Sequence, residues 1–230
     1  MLIGPQNLTL HVNHVRSRIR TAATAAGRNP ESVTLVAVTK GKTAESVRLA
    51  ATAGVTDFGE NYLQEALAKM DQLADLKLKW HFIGGIQSNK TRAIAERFDW
   101  VQSVDRLSVA RRLSEQRPFH APPLNVCIQV ALVPEPTKGG VAPDELAELA
   151  RAIAGLPRLV LRGLMCVPPP QPNAAAERAV FAKLRAALDD LNAGGLKLDT
   201  LSMGMSGDFE SAIAEGATLV RIGTALFGAR

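Results

Sequence analysis

The stretch "VTLVAVTKGKT" (residues 33–43) has five apolar residues in its first six and turns polar at Thr39 and Lys40. A short run rich in β-branched residues that stops abruptly reads as a buried strand. Residues 43–53, directly after it, have the apolar spacing of a helix. The same strand-then-helix unit recurs along the chain. Apolar runs lie at 33–40, 55–61, 80–84, 100–105, 124–131, 161–167, 198–204 and 219–228. Helical patterns fill 43–53, 60–75, 88–97, 106–117, 143–155, 173–193 and 207–215, and a further amphipathic segment at about 6–27 precedes the first strand. Strands alternating with helices pair in parallel through crossovers. Eight such strands predict an α/β fold closed as a single-domain (β/α)8 TIM barrel with an extra N-terminal helix, spanning residues 1–230. A doubly wound open sheet is the alternative.

Composition narrows the function. The chain has 230 residues, 47% of them hydrophobic, enough for a substantial core. No apolar run reaches the roughly 18–20 residues that span a bilayer. The N-terminus lacks a basic segment followed by an apolar core, so no signal peptide is expected. Cys127 and Cys166 form no CxxC or disulfide framework, which fits a reducing cytoplasm. The net charge of +5 is spread out, and the aromatics needed for base stacking are few, which argues against a nucleic-acid role. No His/Cys/Asp/Glu cluster has metal spacing, and no Ser/His/Asp set is evident. No apolar surface stripe stands out, so a monomer is expected.

In a barrel, the C-terminal strand ends hold the site. The first run ends on Lys40. Alternation places Val36, Val38 and Lys40 on one face. Lys40 reads either as a rim lysine with its stem along apolar surface or as a nucleophilic amine whose pKa is lowered by a partly apolar site. The seventh run leads into "SMGMSGDFESAIAEG" (202–216), where Ser206 lies between glycines before a helix. The eighth holds "RIGTALFG" (221–228), where Gly223 admits close approach of an anion and Thr224 offers a hydroxyl. Loops after strands seven and eight are the recurrent phosphate site of this fold. Arg221 shares the face of Gly223 and reads as a rim ion pair or as a fixed cation beside a ligand. Asn61, in "FGENYLQE" (58–65), either caps the next helix or bonds a ligand hydroxyl. His81 reads as a satisfied core histidine. Lys138, in "TKGGV" (137–141), is aimed at the same barrel face and reads as solvated, and Lys42 has no assigned role.

The stretches "LVAVTK", "FGENYLQE", "WHFIGGIQSNK", "SVDR", "LRGLMCV" and above all "LSMGMSGDFESAIAEGATLVRIGTALFGAR" resemble the YggS/PROSC family of pyridoxal phosphate homeostasis proteins over nearly the whole chain. The resemblance implies a single barrel like the N-terminal domain of alanine racemases, without their second domain. It implies that pyridoxal 5′-phosphate (PLP) is held as an aldimine on Lys40. It further implies that Ser206, Gly223 and Thr224 hold the phosphate, that Arg221 faces the pyridine nitrogen, and that Asn61 lies near the ring. The implied role is non-catalytic: PLP is buffered or delivered, with apo-PLP enzymes as recipients. A racemase-like enzyme is the alternative, but the sole tyrosine, Tyr62, lies at a helix start, and no second acid/base group is identified. The chain departs from the family pattern at Gly85, usually proline, at Gly207, often Asp, and at Phe209, often Met. It also reads "TKGKT" where the family often has "TKTKP".

Overall fold

A computed structural model describes residues 5–133 and 139–228. Lys138 lies outside the described residues. Eight parallel strands close into a barrel in chain order: β1 (Thr34–Val38), β2 (Asp57–Glu60), β3 (Lys79–Phe82), β4 (Trp100–Val104), β5 (Leu124–Gln129), β6 (Leu159–Met165), β7 (Thr200–Ser202) and β8 (Leu219–Ile222). The β1–β8 seam pairs Val36 with Arg221 and so excludes the open sheet. The outer helices are α1 (Pro5–Ala25), α2 (Ala44–Thr52), α3 (Leu63–Gln72), α4 (Thr91–Arg97), α5 (Leu107–Gln116), α6 (Leu146–Ala154), α7 (Ala174–Ala193), α8 (Phe209–Ala214) and α9 (Thr224–Phe227).

The eighth run is shorter as a strand than its apolar pattern predicts. β8 stops at Ile222, and Gly223 then takes a non-strand conformation (φ −116°, ψ −72°). Its carbonyl accepts the N–H groups of Leu226 and Phe227, so Thr224–Phe227 is one helical turn. α6 also begins later than predicted, at Leu146 after the turn that follows Pro143.

α9 is too short to cover the β8 seam, and α1 does so instead. α1 packs against α2, α8 and α9. Its buried stripe, Leu8, Val12, Val15, Ile19 and Ala23, recurs every three or four residues, as an amphipathic helix requires. Arg16 fastens it to the end of α2 by donating to the carbonyls of Ala53 and Gly54. The extra N-terminal helix thus acts as the eighth stave of the outer ring. Among the described residues no helix is long and apolar enough to cross a membrane.

The apolar core lies between strands and helices, where Phe58, Phe82, Phe98 and Phe181 are buried. The barrel interior is different. Asp57, His81, Gln102, Ser202 and Arg221 are all buried there and joined by hydrogen bonds. His81 is the satisfied core histidine its setting suggests.

Candidate functional site

A cleft of about 280 Å³ opens at the C-terminal strand ends. Its lining includes Lys40, Asn61, Ser206, Arg221, Gly223 and Thr224, all six residues singled out from the sequence, with Val38, Ile83 and Val167 as apolar wall. A larger groove of about 670 Å³ runs between α1 and α8. It contains no strand-end residue, so the chemistry points to the smaller cleft.

Lys40 sits two residues beyond β1 in a tight exit turn. Lys42 N–H bonds Thr39 C=O, and Gly41 has φ +72°, a left-handed conformation that glycine adopts without penalty. The turn is gripped from behind by a charged cluster. Lys69, from α3, donates to Thr39 C=O at 2.6 Å, to Glu60 Oε1 at 2.6 Å and to Glu65 Oε1 at 2.5 Å. Glu65 in turn accepts from Gly41 N–H, and Thr39 Oγ1 donates to Glu60 Oε1. Backbone on both sides of Lys40 is therefore tied to one buried ion cluster. Burial pushes the Glu60 carboxyl above its ordinary range, and hydrogen bonds from Lys69 and Thr39 only partly offset that.

Asn61 does not cap the helix after β2. Tyr62 occupies the N-cap of α3, and Asn61 Oδ1 is buried without a hydrogen-bond partner. A buried acceptor left unpaired costs about 1–3 kcal/mol, so its partner is expected from outside the protein. Asn61 is held there by close packing, because a Cβ on Gly84 would lie 2.1 Å from Asn61 C=O. Tyr62 is 57% exposed and does not line the cleft.

The loops after β7 and β8 are tied to each other. Ala225 N–H donates to Ser206 Oγ at 3.2 Å, and Asp208 Oδ1 accepts from Met205 N–H at 2.6 Å, which closes the turn that carries Ser206. Lys42 Nζ donates to Phe227 C=O at 3.1 Å. That bond gives Lys42 a role the sequence did not suggest: it bridges the β1 exit to the end of α9.

Arg221 is 4% exposed. Its guanidinium donates to Ser202 Oγ at 2.6 Å and to Cys166 C=O at 2.8 Å. Among the described residues it makes no ion pair with a carboxylate, so it is not the rim salt bridge of the plainer reading. Burial lowers its pKa, yet an arginine stays charged at neutral pH. Such a cation favours an anionic ligand in the cleft.

The residues sequence reasoning missed lie just behind these. Glu65 and Lys69 have the i, i+4 spacing of an ordinary exposed helix pair, which gave no sign of burial. Gln102 and Ser202 look like the polar half of an alternating strand. Gly85 and Gly207, two departures from the family pattern, face open space, whereas Phe209 is fully buried beneath Arg18.

Comparisons with known proteins agree with this architecture. The family model for the alanine racemase N-terminal domain matches residues 10–230. The pyridoxal phosphate homeostasis protein of Pseudomonas aeruginosa is 63% identical over 220 residues, which is 96% of this chain and 94% of that protein. Its Escherichia coli K12 counterpart is 50% identical, with 94% of each chain covered. The structure of PipY from Synechococcus elongatus, solved with PLP bound, superposes with a TM-score of 0.86 at 39% identity, covering 96% of this chain and all of PipY. With the fold in agreement and the relatives covered almost end to end, the chain belongs to the pyridoxal phosphate homeostasis protein family, built on the alanine racemase N-terminal domain barrel.

Proposed function

We propose that this chain is a single-domain PLP-binding barrel that holds the cofactor covalently on Lys40 and buffers or delivers it, without catalysing a reaction of its own. The observation that carries the proposal is the cleft that gathers Lys40 and the buried Arg221, which among the described residues has no carboxylate partner, with the loops of Ser206 and Gly223–Thr224. PLP brings an aldehyde that condenses with a primary amine and releases water. Lys40 supplies that amine. Ser206 and Thr224 offer hydroxyls to the phosphate, and Gly223 keeps the backbone bare beside it. Arg221 presents a fixed positive charge to the ring, which disfavours a second positive charge on the pyridine nitrogen. Asn61 Oδ1 offers an acceptor to a ligand donor.

Two features support a carrier over a racemase. Two-base racemisation needs an acid/base group opposite the lysine, and Tyr62, the sole tyrosine, is exposed outside the cleft. The cleft is also open, so water reaches the lysine linkage and exchange is possible. A cytoplasmic monomer that passes PLP to apo-enzymes completes the proposal. Nucleic acid and membranes are not among the expected partners.

The test is reconstitution with PLP, borohydride reduction and peptide mapping of wild type and Lys40→Ala, followed by transfer of PLP to an apo-enzyme. The reduced adduct should map to Lys40, and its visible absorbance should vanish in the variant. An adduct that survives Lys40→Ala would overturn the assignment. Alanine racemisation at about 1 s⁻¹ or faster would overturn the carrier role.

A further inference from the structure

The barrel interior carries a continuous hydrogen-bond chain. Thr56 Oγ1 donates to Asp57 Oδ2 at 2.7 Å, and Asp57 Oδ1 meets His81 Nε2 at 2.9 Å. His81 Nδ1 meets Gln102 Nε2 at 2.8 Å, Ser202 Oγ donates to Gln102 Oε1 at 2.6 Å, and Arg221 donates to Ser202 Oγ at 2.6 Å. His81, Gln102 and Ser202 are completely buried. His81 is also stacked on Trp100, with ring centroids 5.5 Å apart at 12°, which fixes the plane of the imidazole.

Asp57 lines a basal pocket of about 370 Å³ with Arg16, Arg20, Glu31 and Lys79, whereas Arg221 lines the cleft at the other end of the barrel. The chain therefore crosses the barrel. Its direction follows from the chemistry of each link. A carboxylate only accepts, so His81 donates from Nε2 and accepts at Nδ1. Gln102 turns its amide N–H to His81 and its carbonyl to Ser202. Ser202 then spends its proton on Gln102 and accepts from Arg221. Burial pushes the Asp57 carboxyl upward, and hydrogen bonds from His81 and Thr56 more than offset this, so its pKa lies below the ordinary value and it remains an acceptor.

We propose that Gln102, acting through Ser202, is a positioning residue that fixes the Arg221 guanidinium for its ligand, with the direction of the chain set from the opposite end by Asp57 and His81. Neither Gln102 nor Ser202 lines the cleft. Without Gln102 the Ser202 hydroxyl loses its acceptor, and Arg221 loses a partner of fixed orientation. This inference rests on the PLP reading of the cleft.

The test has two arms. In ligand-free wild type, ¹⁵N NMR of the histidines should show His81 protonated at Nε2 alone. A proton on Nδ1 would overturn the proposal whatever the cleft binds. In the second arm, PLP dissociation rates are measured for Gln102→Met, Ser202→Ala and the double variant. Each single change should raise the rate roughly five- to tenfold, a modest coupling between distant groups. The double variant should be no faster than either single one, because both break the same chain. Multiplying effects, or a folded Gln102→Met with the wild-type rate, would overturn the proposal. Should Gln102→Met fail to fold, Ser202→Ala and the His81 tautomer decide. Wild type that takes up no PLP on Lys40 would instead refute the functional reading, which separates the two failures.

Discussion

Replacing Lys69 with methionine tests how the Lys40 turn is held. Lys69 is 4% exposed and Glu60 is 0% exposed, and the ammonium binds Glu60, Glu65 and Thr39 C=O together. Methionine keeps most of the stem volume, so the change removes charge and hydrogen bonds more than packing. Breaking a buried pair by removing one partner costs about 3–5 kcal/mol, because the other charge is left uncompensated. In a chain of this size Tm falls by about 2–4 °C per kcal/mol, so a drop of about 6–20 °C is expected.

The deficit should depend on pH, and its sign is fixed by Glu60. Burial holds this carboxyl above its ordinary value of 4.5, with Lys69 among the groups that pull it back. A folded pKa above the unfolded one means that the native state binds the proton more tightly. That stabilisation is fully present below the unfolded value and is lost as pH rises through the folded value. Removing Lys69 raises Glu60 further, so the variant should lose most stability towards pH 8 and least near pH 5. Adding Glu60→Gln to Lys69→Met removes the stranded charge and should restore most of the loss. Urea unfolding followed by circular dichroism at both pH values reads all three proteins. A Lys69→Met deficit below about 1 kcal/mol at pH 8, the size of a surface pair, would refute the reasoning. So would a double variant no better than the single one.

Asn61→Ala should leave the ligand-free protein within about 1 kcal/mol of wild type in urea unfolding, since the lost acceptor is unpaired, while weakening PLP in a binding titration. Gly84→Ala should destabilise by about 1–3 kcal/mol and weaken PLP as well, because its methyl would press on Asn61 C=O; an unchanged Tm would contradict the packing. Its neighbour behaves oppositely: Gly85 faces open space without a left-handed φ, so Gly85→Ala should stabilise by about 0.4–1 kcal/mol in the same assay. Lys42→Met should cost about 0.5–1.5 kcal/mol and speed amide exchange at 224–228, where the lost bond to Phe227 C=O held the turn.

What could be read from the sequence follows the kind of signal each feature leaves. The barrel was legible because each strand is a short β-branched run and each crossover a helical pattern, so type and order survive even where boundaries drift. The cleft residues were legible for a related reason: a barrel gathers its strand ends, so Lys40, Asn61, Ser206 and Arg221 become neighbours once the fold is known. The end of β8 was not legible, because "LVRIGTALFG" stays apolar through the break and only the backbone at Gly223 marks it. The plainer reading of Asn61 as a helix cap failed because the helix begins two residues on, behind Tyr62. Glu65, Lys69, Gln102 and Ser202 left no local trace of their roles. Each matters through a partner contributed by a different element, and such pairings arise only on folding.

These supports share a logic that bears on function. The turn that carries Lys40 is fixed by side chains that do not line the cleft. Here the neighbours hold the backbone: Lys69 takes the carbonyl of Thr39, and Glu65 takes the N–H of Gly41. Lys42 then reaches across the β1–β8 seam to the carbonyl of Phe227, so the β1 exit and the end of α9 are fixed to each other. On β8, which pairs directly with β1, Arg221 is oriented from behind by Ser202 and Cys166, and among the described residues no carboxylate neutralises it. The protein thus lines one open cleft with Lys40 and Arg221, brought in by the paired strands β1 and β8, and it commits the buried Glu60 and Asp57 to the supporting layers. Under the proposed function, such an arrangement suits capture and retention of an anionic aldehyde.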